Sequence, residues 1–478
     1  MERTAGVLLS IFSLPGEFGM GTIKDAYPFL ENLAEASHKC WQILPEGTVG
    51  ESFSPYKSYS AFAGNPLFVS PRYLFERRLI TKAEMESARL PLAEEIDYPD
   101  VIRLRTALLR AAFMRNRDTQ TINAKNGERV REYCMFAALR RFFSAPLSEW
   151  PEDIKRREPS AMERYSEMLS EEIAFREFMQ ACFFDEWTEM KKHAEGLGIK
   201  IIGDIPIYIS EDSADVWEKP EGFLLDDKLR PMVSAGMPPD SFSTHGQHWG
   251  NPIYDYKAME KDGFSWWRER IRHAFEMFGA LRIDHFRGFD EYFEITDNGS
   301  PSEGVWKKGP GRKIADAICS EASGQIIAED LGGDTEGVRA LLDYSGFPGM
   351  RVLEFGFDSD GHNSNLPHMY PEGCAAYTGT HDNDTVMGWY HSVPEKQRKR
   401  AEEYLGLNER EGINFGFIRG VLASRAGLAV IPMQDYLGLD SGARMNIPGT
   451  AKGNWLWRMT RPAPWERMRK MAKLFGRS

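Results

Sequence analysis

Eight short apolar runs recur along the chain, each giving way to polar or glycine-containing residues: GVLLSIF, KCWQILP, IKIIGDIPIYI, GALRIDHFRG, QIIAEDLGG, MRVLEFGF, AAYTGTHDN and LAVIPMQDYLG. Runs this short and this continuously apolar suit strands buried on both faces. Between several of them lie amphipathic stretches such as IKDAYPFLENLAEAS and GRKIADAICSEA, which gives the strand–helix–strand alternation of a parallel sheet. Eight such units favour a closed (β/α)8 TIM barrel over a doubly wound sheet. A barrel makes a further demand, that its chemistry lie at the C-terminal ends of the strands.

Two segments break the alternation. Residues 71–195 are rich in Arg, Glu, Met and Leu at helical spacing, as in VIRLRTALLRAAFMRN and EEIAFREFMQACFFDEWTEMKKHAE. They read as a helical insertion within a single barrel spanning 1–478, its charge-dense faces being solvated helix surface. Residues 231–256 combine Gly and Pro without clear periodicity, which reads as an active-site loop. The opening residues MERTAGVLLSIFSLPG lack the basic lead and cleavage site of an export signal and read as a first strand.

With 478 residues, 42% of them hydrophobic, the chain has material for one large core or two ordinary ones. The formal charge of −12 argues against nucleic acid or an anionic membrane surface as principal partner. No apolar stretch is long enough to span a bilayer, so a soluble, cytoplasmic protein with a neutral ligand is expected. The five cysteines are dispersed and lack C-x-x-C spacing. Reduced, buried thiols are expected rather than a disulfide framework or a thiolate zinc site.

Candidate chemistry falls where the barrel requires it. Asp204 ends IIGD, Asp284 ends LRID, Glu329 ends IIAE and Asp382 follows YTGTH. One acidic residue after a strand is most simply a cap or a loop residue. Four at corresponding places point to a cluster, used either to bind a hard cation or to act as acid, base and nucleophile on a polar substrate. Arg282 shares a strand face with Asp284 and favours its ionised form, which suits a nucleophile and opposes a cation. The apolar lead before Glu329 favours its protonated form, although Asp330 stands beside it. One charged and one protonated carboxyl is the pairing glycoside chemistry uses.

Other motifs carry less. GEFGMG lacks the glycine order of the dinucleotide fingerprint, and no Walker lysine pattern occurs. His245 and His248 have metal-compatible spacing but no obvious third ligand, so ordinary loop histidines are expected. Trp249 is open between core packing and stacking on a sugar ring.

The segments SPYKSYSAFAGNPL, GDIPIYISEDSADVW, GMPPDSFSTHGQHWGNPIY, LRIDHFRGF, IIAEDLG and YTGTHDNDT closely resemble the 4-α-glucanotransferases, a family that includes amylomaltase, the plant disproportionating enzyme and glycoside hydrolase family 77. The resemblance runs in order from Arg3 to about Arg458. It implies a (β/α)8 barrel with inserted subdomains, no separate C-terminal β-domain and no cofactor. It also implies transfer of α-1,4-glucan segments between maltooligosaccharides through a covalent intermediate with retention, an α-amylase-type hydrolase being the alternative. By motif, Asp284 resembles the nucleophile, Glu329 the general acid/base and Asp382 the carboxylate that grips sugar hydroxyls. Asp204, Arg282 and His381 resemble the supporting shell, Ser54 and Tyr56 the donor-sugar residues, and Trp249 part of the acceptor-side lid. The chain departs from the family pattern at SIFSLPG, where HPTSLPG is usual, and at His248, where Arg is common.

Overall fold

A computed structural model describes residues 2–50, 52–119, 121, 127–239, 243, 245–296, 299–332 and 335–478. Twelve strands occur among them: β1 (Thr4–Leu8), β2 (Cys40–Gln42), β3 (Lys200–Ile205), β4 (Val233–Met237), β5 (Gln247–Pro252), β6 (Ala280–Ile283), β7 (Glu291–Thr296), β8 (Val305–Lys308), β9 (Gln325–Ala328), β10 (Met350–Val352), β11 (Ala375–Tyr377) and β12 (Leu428–Pro432). Eight of these form one all-parallel sheet in the order β10-β11-β12-β1-β2-β3-β6-β9. At the seam between β9 and β10 the Ala328 N–H donates to the Pro348 carbonyl at 2.9 Å. The fold is a (β/α)8 barrel; seven of the eight apolar runs contain one of its strands, and the first, GVLLSIF, overlaps β1, which begins two residues earlier at Thr4.

Local chemistry explains why. All five residues of β1 are buried, because parallel strands are covered by the barrel interior on one face and by helices on the other. Helix Ala26–Glu35 buries Ala26, Phe29, Leu30 and Leu33, a spacing that places them on one stripe. The 3-10 turn before it is closed by a reciprocal Thr22–Asp25 cap, in which the Thr22 N–H donates to Asp25 Oδ2 at 2.9 Å.

Residues 71–195 are largely helical, with helices that include Pro71–Glu76, Lys82–Ser87, Tyr98–Thr119, Glu128–Phe143, Pro159–Met168 and Ser170–Gly196; residues 120 and 122–126 lie outside the described set. The last helix packs on β3 and on helices Ala26–Glu35 and Ser265–Met277. It is therefore the barrel's own crossover helix from β2 to β3, and the excursion proper ends before it. Its sequence does not reveal this, because it is covered twice: by the barrel, and on another side by helices Tyr98–Thr119 and Glu128–Phe143.

Residues 231–256 carry β4 and β5, an antiparallel pair in a second sheet ordered β5-β4-β7-β8; residues 240–242 and 244 lie outside the described set. An irregular loop is what the glycines suggest, but Gly236 sits inside a strand. A Cβ there would lie 2.3 Å from the Gln247 carbonyl oxygen and 2.4 Å from Ile295 Cδ1, so the close approach of neighbouring strands requires glycine. The pairing also shifts register between Ser234 and Gly236, and such a bulge breaks the alternation that marks a strand. All five cysteines are free. Cys40, Cys134, Cys182 and Cys374 are buried as expected, whereas Cys319 is exposed on helix Arg312–Glu321.

Candidate active site

The barrel mouth is built on Arg282, near the end of β6. Its neighbour across the sheet is Asp204 of β3, and Arg282 Nη1 donates to both Asp204 carboxylate oxygens at 2.7 and 2.8 Å. Its other terminal nitrogen lies 2.8 Å from Asp284 Oδ1. One buried guanidinium thus holds two carboxylates. The Asp204 side chain is wholly buried and that of Arg282 is 4% exposed, so removing either partner would strand a buried charge at a cost of about 3–5 kcal/mol. The Tyr56 hydroxyl donates to Asp204 Oδ2 at 2.7 Å, and its ring stacks on His381 with centroids 5.1 Å apart. Residues from the segment after β2, from β3, from β6 and from the segment after β11 are thereby joined in one network.

Glu329 follows β9 directly. Its backbone N–H donates to the Ile283 carbonyl at 3.0 Å, prolonging the β6–β9 ladder. Its carboxyl is buried and accepts from the His285 N–H at 2.8 Å and the Leu331 N–H at 2.6 Å. The first of these contacts depends on backbone geometry: His285 is left-handed, with φ 49° and ψ 45°, uncommon for a residue with a side chain and concentrated at functional sites. That turn aims the His285 N–H at the carboxyl and lets the Phe286 N–H donate to the Glu329 carbonyl at 2.9 Å.

The two carboxyls are driven apart electrostatically. Burial raises Glu329 to about 8, and the Asp284 charge adds to the rise against the pull of Arg282. Partial burial also raises Asp284, whose side chain is 25% exposed, to about 6, but Arg282 at its side opposes this directly. Between those values Asp284 is the ionised member and Glu329 the protonated one. His285 is held neutral, lowered to about 3 by burial and by Arg287.

Asp382 lies in the segment after β11. Asn446 Nδ2 donates to its Oδ1 at 2.6 Å, Arg444 Nη2 to its backbone carbonyl at 2.6 Å, and His381 Nε2 lies 3.4 Å from Oδ2. Its charge is among those that raise Asp284, so both act in one field. Trp249, on β5, meets the His285 ring edge-to-face at 4.9 Å, and its Nε1 donates to Gln247 Oε1 at 3.1 Å. It therefore stands against the residue that follows Asp284. Ser54 is less directly tied: its Oγ accepts from the Tyr56 N–H at 3.3 Å, which orders the turn carrying that tyrosine. His248 is not a loop histidine, because on β5 its Nε2 lies 2.5 Å from Ser234 Oγ. Among the described residues no cluster of three or more His, Cys, Asp or Glu is arranged to hold a metal, and no helix is long and apolar enough to cross a membrane.

Three contributors carry no sequence signal. His285 reads as one more residue after a strand, while Arg444 and Asn446 sit in GARMNIPG with no apolar run before them. The Arg and Asn of that Gly- and Pro-flanked stretch are the only hint it offers.

This geometry accords with what the chain resembles. The family model described as 4-alpha-glucanotransferase matches residues 9–463. The chain belongs to that family. The 4-alpha-glucanotransferase of Clostridium butyricum is 43% identical over 468 residues, covering 94% of this chain and 95% of that protein. The Thermus thermophilus 4-alpha-glucanotransferase is 41% identical, covering 99% of each. Among solved structures, amylomaltase from Streptococcus agalactiae in complex with acarbose superposes with a TM-score of 0.96 at 37% identity, covering all of both chains. The resemblance carried by the barrel-mouth motifs is borne out, and the family's activity, 4-alpha-glucanotransferase, is that of this chain.

Proposed function

We propose that the chain moves α-1,4-glucan segments between maltooligosaccharides by two displacements with net retention, using Asp284 as nucleophile and Glu329 as acid and then base. In the first step an Asp284 oxygen attacks the anomeric carbon of the donor. The bond from that carbon to the glycosidic oxygen breaks, and the Glu329 proton passes to the departing oxygen. In the second step Glu329 takes the proton from the 4-hydroxyl of the acceptor, whose oxygen attacks the same carbon and releases Asp284. Asp382, held by Asn446 and Arg444, accepts hydroxyls of the donor sugar, and Asp204, Arg282, Tyr56 and His381 keep the floor of the site rigid and charged. Ser54 orders the turn that presents Tyr56, and Trp249 serves the acceptor side. Residues 231–256 then act as the acceptor-side element of a single catalytic barrel.

The observation that supports this reading most is the unequal treatment of the two carboxyls, Asp284 paired with a guanidinium and Glu329 buried without a cation of its own. It has a pH consequence. Below about 6 Asp284 gains a proton and the nucleophile is lost; above about 8 Glu329 loses the proton it must donate. A bell-shaped profile of kcat/KM with limbs near those values is expected. Activity that stays flat from pH 5 to pH 9 would reject the assignment.

Transfer rather than hydrolysis requires that a bound sugar outcompete water for the glycosyl ester. A positioned acceptor gains a very large effective concentration, and a covered site keeps water away. Purified protein given maltotriose is therefore expected to yield glucose together with maltopentaose and longer chains, with little rise in reducing ends and with newly formed linkages in the α configuration. Glucose and maltose accumulating in step with reducing ends would mark a hydrolase instead.

A further inference from the structure

Beneath the segment that carries His381 and Asp382 lie two buried acids with no part in the displacements described above. Glu354, in the turn that follows β10, is 4% exposed, and Asp435, in the turn that follows β12, is 1% exposed. Asp435 accepts at both oxygens: Oδ2 from the Thr378 hydroxyl and Oδ1 from the Val386 N–H at 2.8 Å. Thr378 and Val386 stand at the two ends of the segment, so one carboxylate fastens both. Glu354 bears on its middle. The Glu354 N–H donates to the Thr378 carbonyl at 3.2 Å, and its carboxyl lies beside Asn383, a Cβ on Gly379 meeting both Glu354 Oε1 and Asn383 Cβ at 3.1 Å. Asn383 Oδ1 in turn accepts from the Thr380 N–H at 2.9 Å and the Thr380 hydroxyl at 2.8 Å.

We propose that Glu354 and Asp435 are positioning residues for the transfer reaction, an acid pair from the strands on either side of β11 that sets the Thr378–Val386 segment and through it His381 and Asp382. The inference rests on the role given to Asp382 above. The two acids act in different protonation states. Asp435 has a donor for each oxygen, which suits a carboxylate. Glu354 Oε1 is buried with no partner, and an ionised oxygen in that position would cost several kcal/mol. The groups facing Glu354 point the same way, since burial, Asp435 and Asp384 all favour its neutral form and only Asn383 and Arg444 oppose. Glu354 thus serves as a neutral acid, through its shape and its place beside Asn383, and a glutamine can replace it. An asparagine at 435 can accept from only one of the two donors, and it keeps the other end only if the Thr378 hydroxyl rotates to accept from its NH2.

The test is kinetic, with kcat and KM for maltotriose measured per folded protein. Glu354→Ala and Asn383→Ala are expected to lower kcat on the order of 10²-fold, the scale of misplacing a reacting group by about 1 Å. Glu354→Gln should restore kcat to within about threefold of the wild type, and Asp435→Ala, which removes both acceptors, should lose as much as Glu354→Ala. A merely structural role would lower thermal stability and the folded fraction but leave kcat per folded molecule unchanged. Wild-type kcat in Asn383→Ala, or a Glu354→Gln as impaired as Glu354→Ala, overturns the proposal; should Glu354→Ala not fold, wild-type kcat in Asn383→Ala or a loss on the order of 10²-fold in Glu354→Gln still overturns it. Asp382→Asn separates the two levels. If it retains activity, the role of Asp382 fails; if it is inactive while all four of the other variants behave as wild type, only the acid pair fails.

Discussion

Asp284→Asn is expected to lower transfer from maltotriose on the order of 10⁴-fold or more, the scale seen when a covalent nucleophile is removed. The amide cannot form the glycosyl ester, and no other carboxylate can take its place. Asp204 has both oxygens engaged by Arg282, and Asp382 is held by Asn446. Binding should survive, because Tyr56, Asp204, Asp382 and Trp249 are untouched. The substitution is nearly isosteric but leaves Arg282 with one charged partner rather than two, so some loss of stability is also expected. The measurement is turnover beside maltooligosaccharide affinity by calorimetry. Near-normal turnover would remove Asp284 from its role; loss of affinity as large as the loss of turnover would make it a binding residue instead.

Glu329→Gln is the second large effect, and its diagnostic is the dependence on leaving group. General acid catalysis contributes about 10²–10⁴-fold, and that factor should disappear for maltooligosaccharide donors, whose leaving alkoxide needs a proton. Donors with a leaving group that is stable as an anion, such as an aryl or fluoride glycoside, need none, and their first step should be far less affected. The alkaline limb of the pH profile should vanish with the carboxyl that produces it. The Gln amide can still accept one of the two backbone N–H bonds made by His285 and Leu331, so the loop geometry should largely persist. Equal losses on both kinds of donor would place the acid elsewhere.

The elements of the barrel were legible in the chain because parallel strands covered on both faces must be largely apolar, with polar residues gathering toward their mouths. The same rule places Asp204, Asp284, Glu329 and Asp382 at strand ends before any coordinate is known. Arg282 was legible as the partner of Asp284, since residues two apart share a strand face. Where the reading missed, a second covering or a close approach had erased the pattern. Helix Ser170–Gly196 is enclosed by two layers and reads like the excursion before it, and Gly236 permits a strand where glycine suggests a loop.

Sequence alone therefore determined the strand set, the closed alternation and the four carboxylates at one mouth, because these follow from burial that each segment must satisfy by itself. Arg282 and the apolar lead of Glu329 already suggested which carboxyl keeps its proton, but only the tertiary structure supplied the contacts that hold that choice. That choice depends on contacts between residues far apart in the chain: Tyr56 on Asp204, Arg282 bridging Asp204 and Asp284, Asn446 on Asp382, and the left-handed His285 turning its N–H to Glu329. Apart from the Arg282–Asp284 pair, no local pattern encodes them, because a pKa is set by the charges and dipoles within a few ångströms of the group, and folding, not sequence proximity, selects those neighbours.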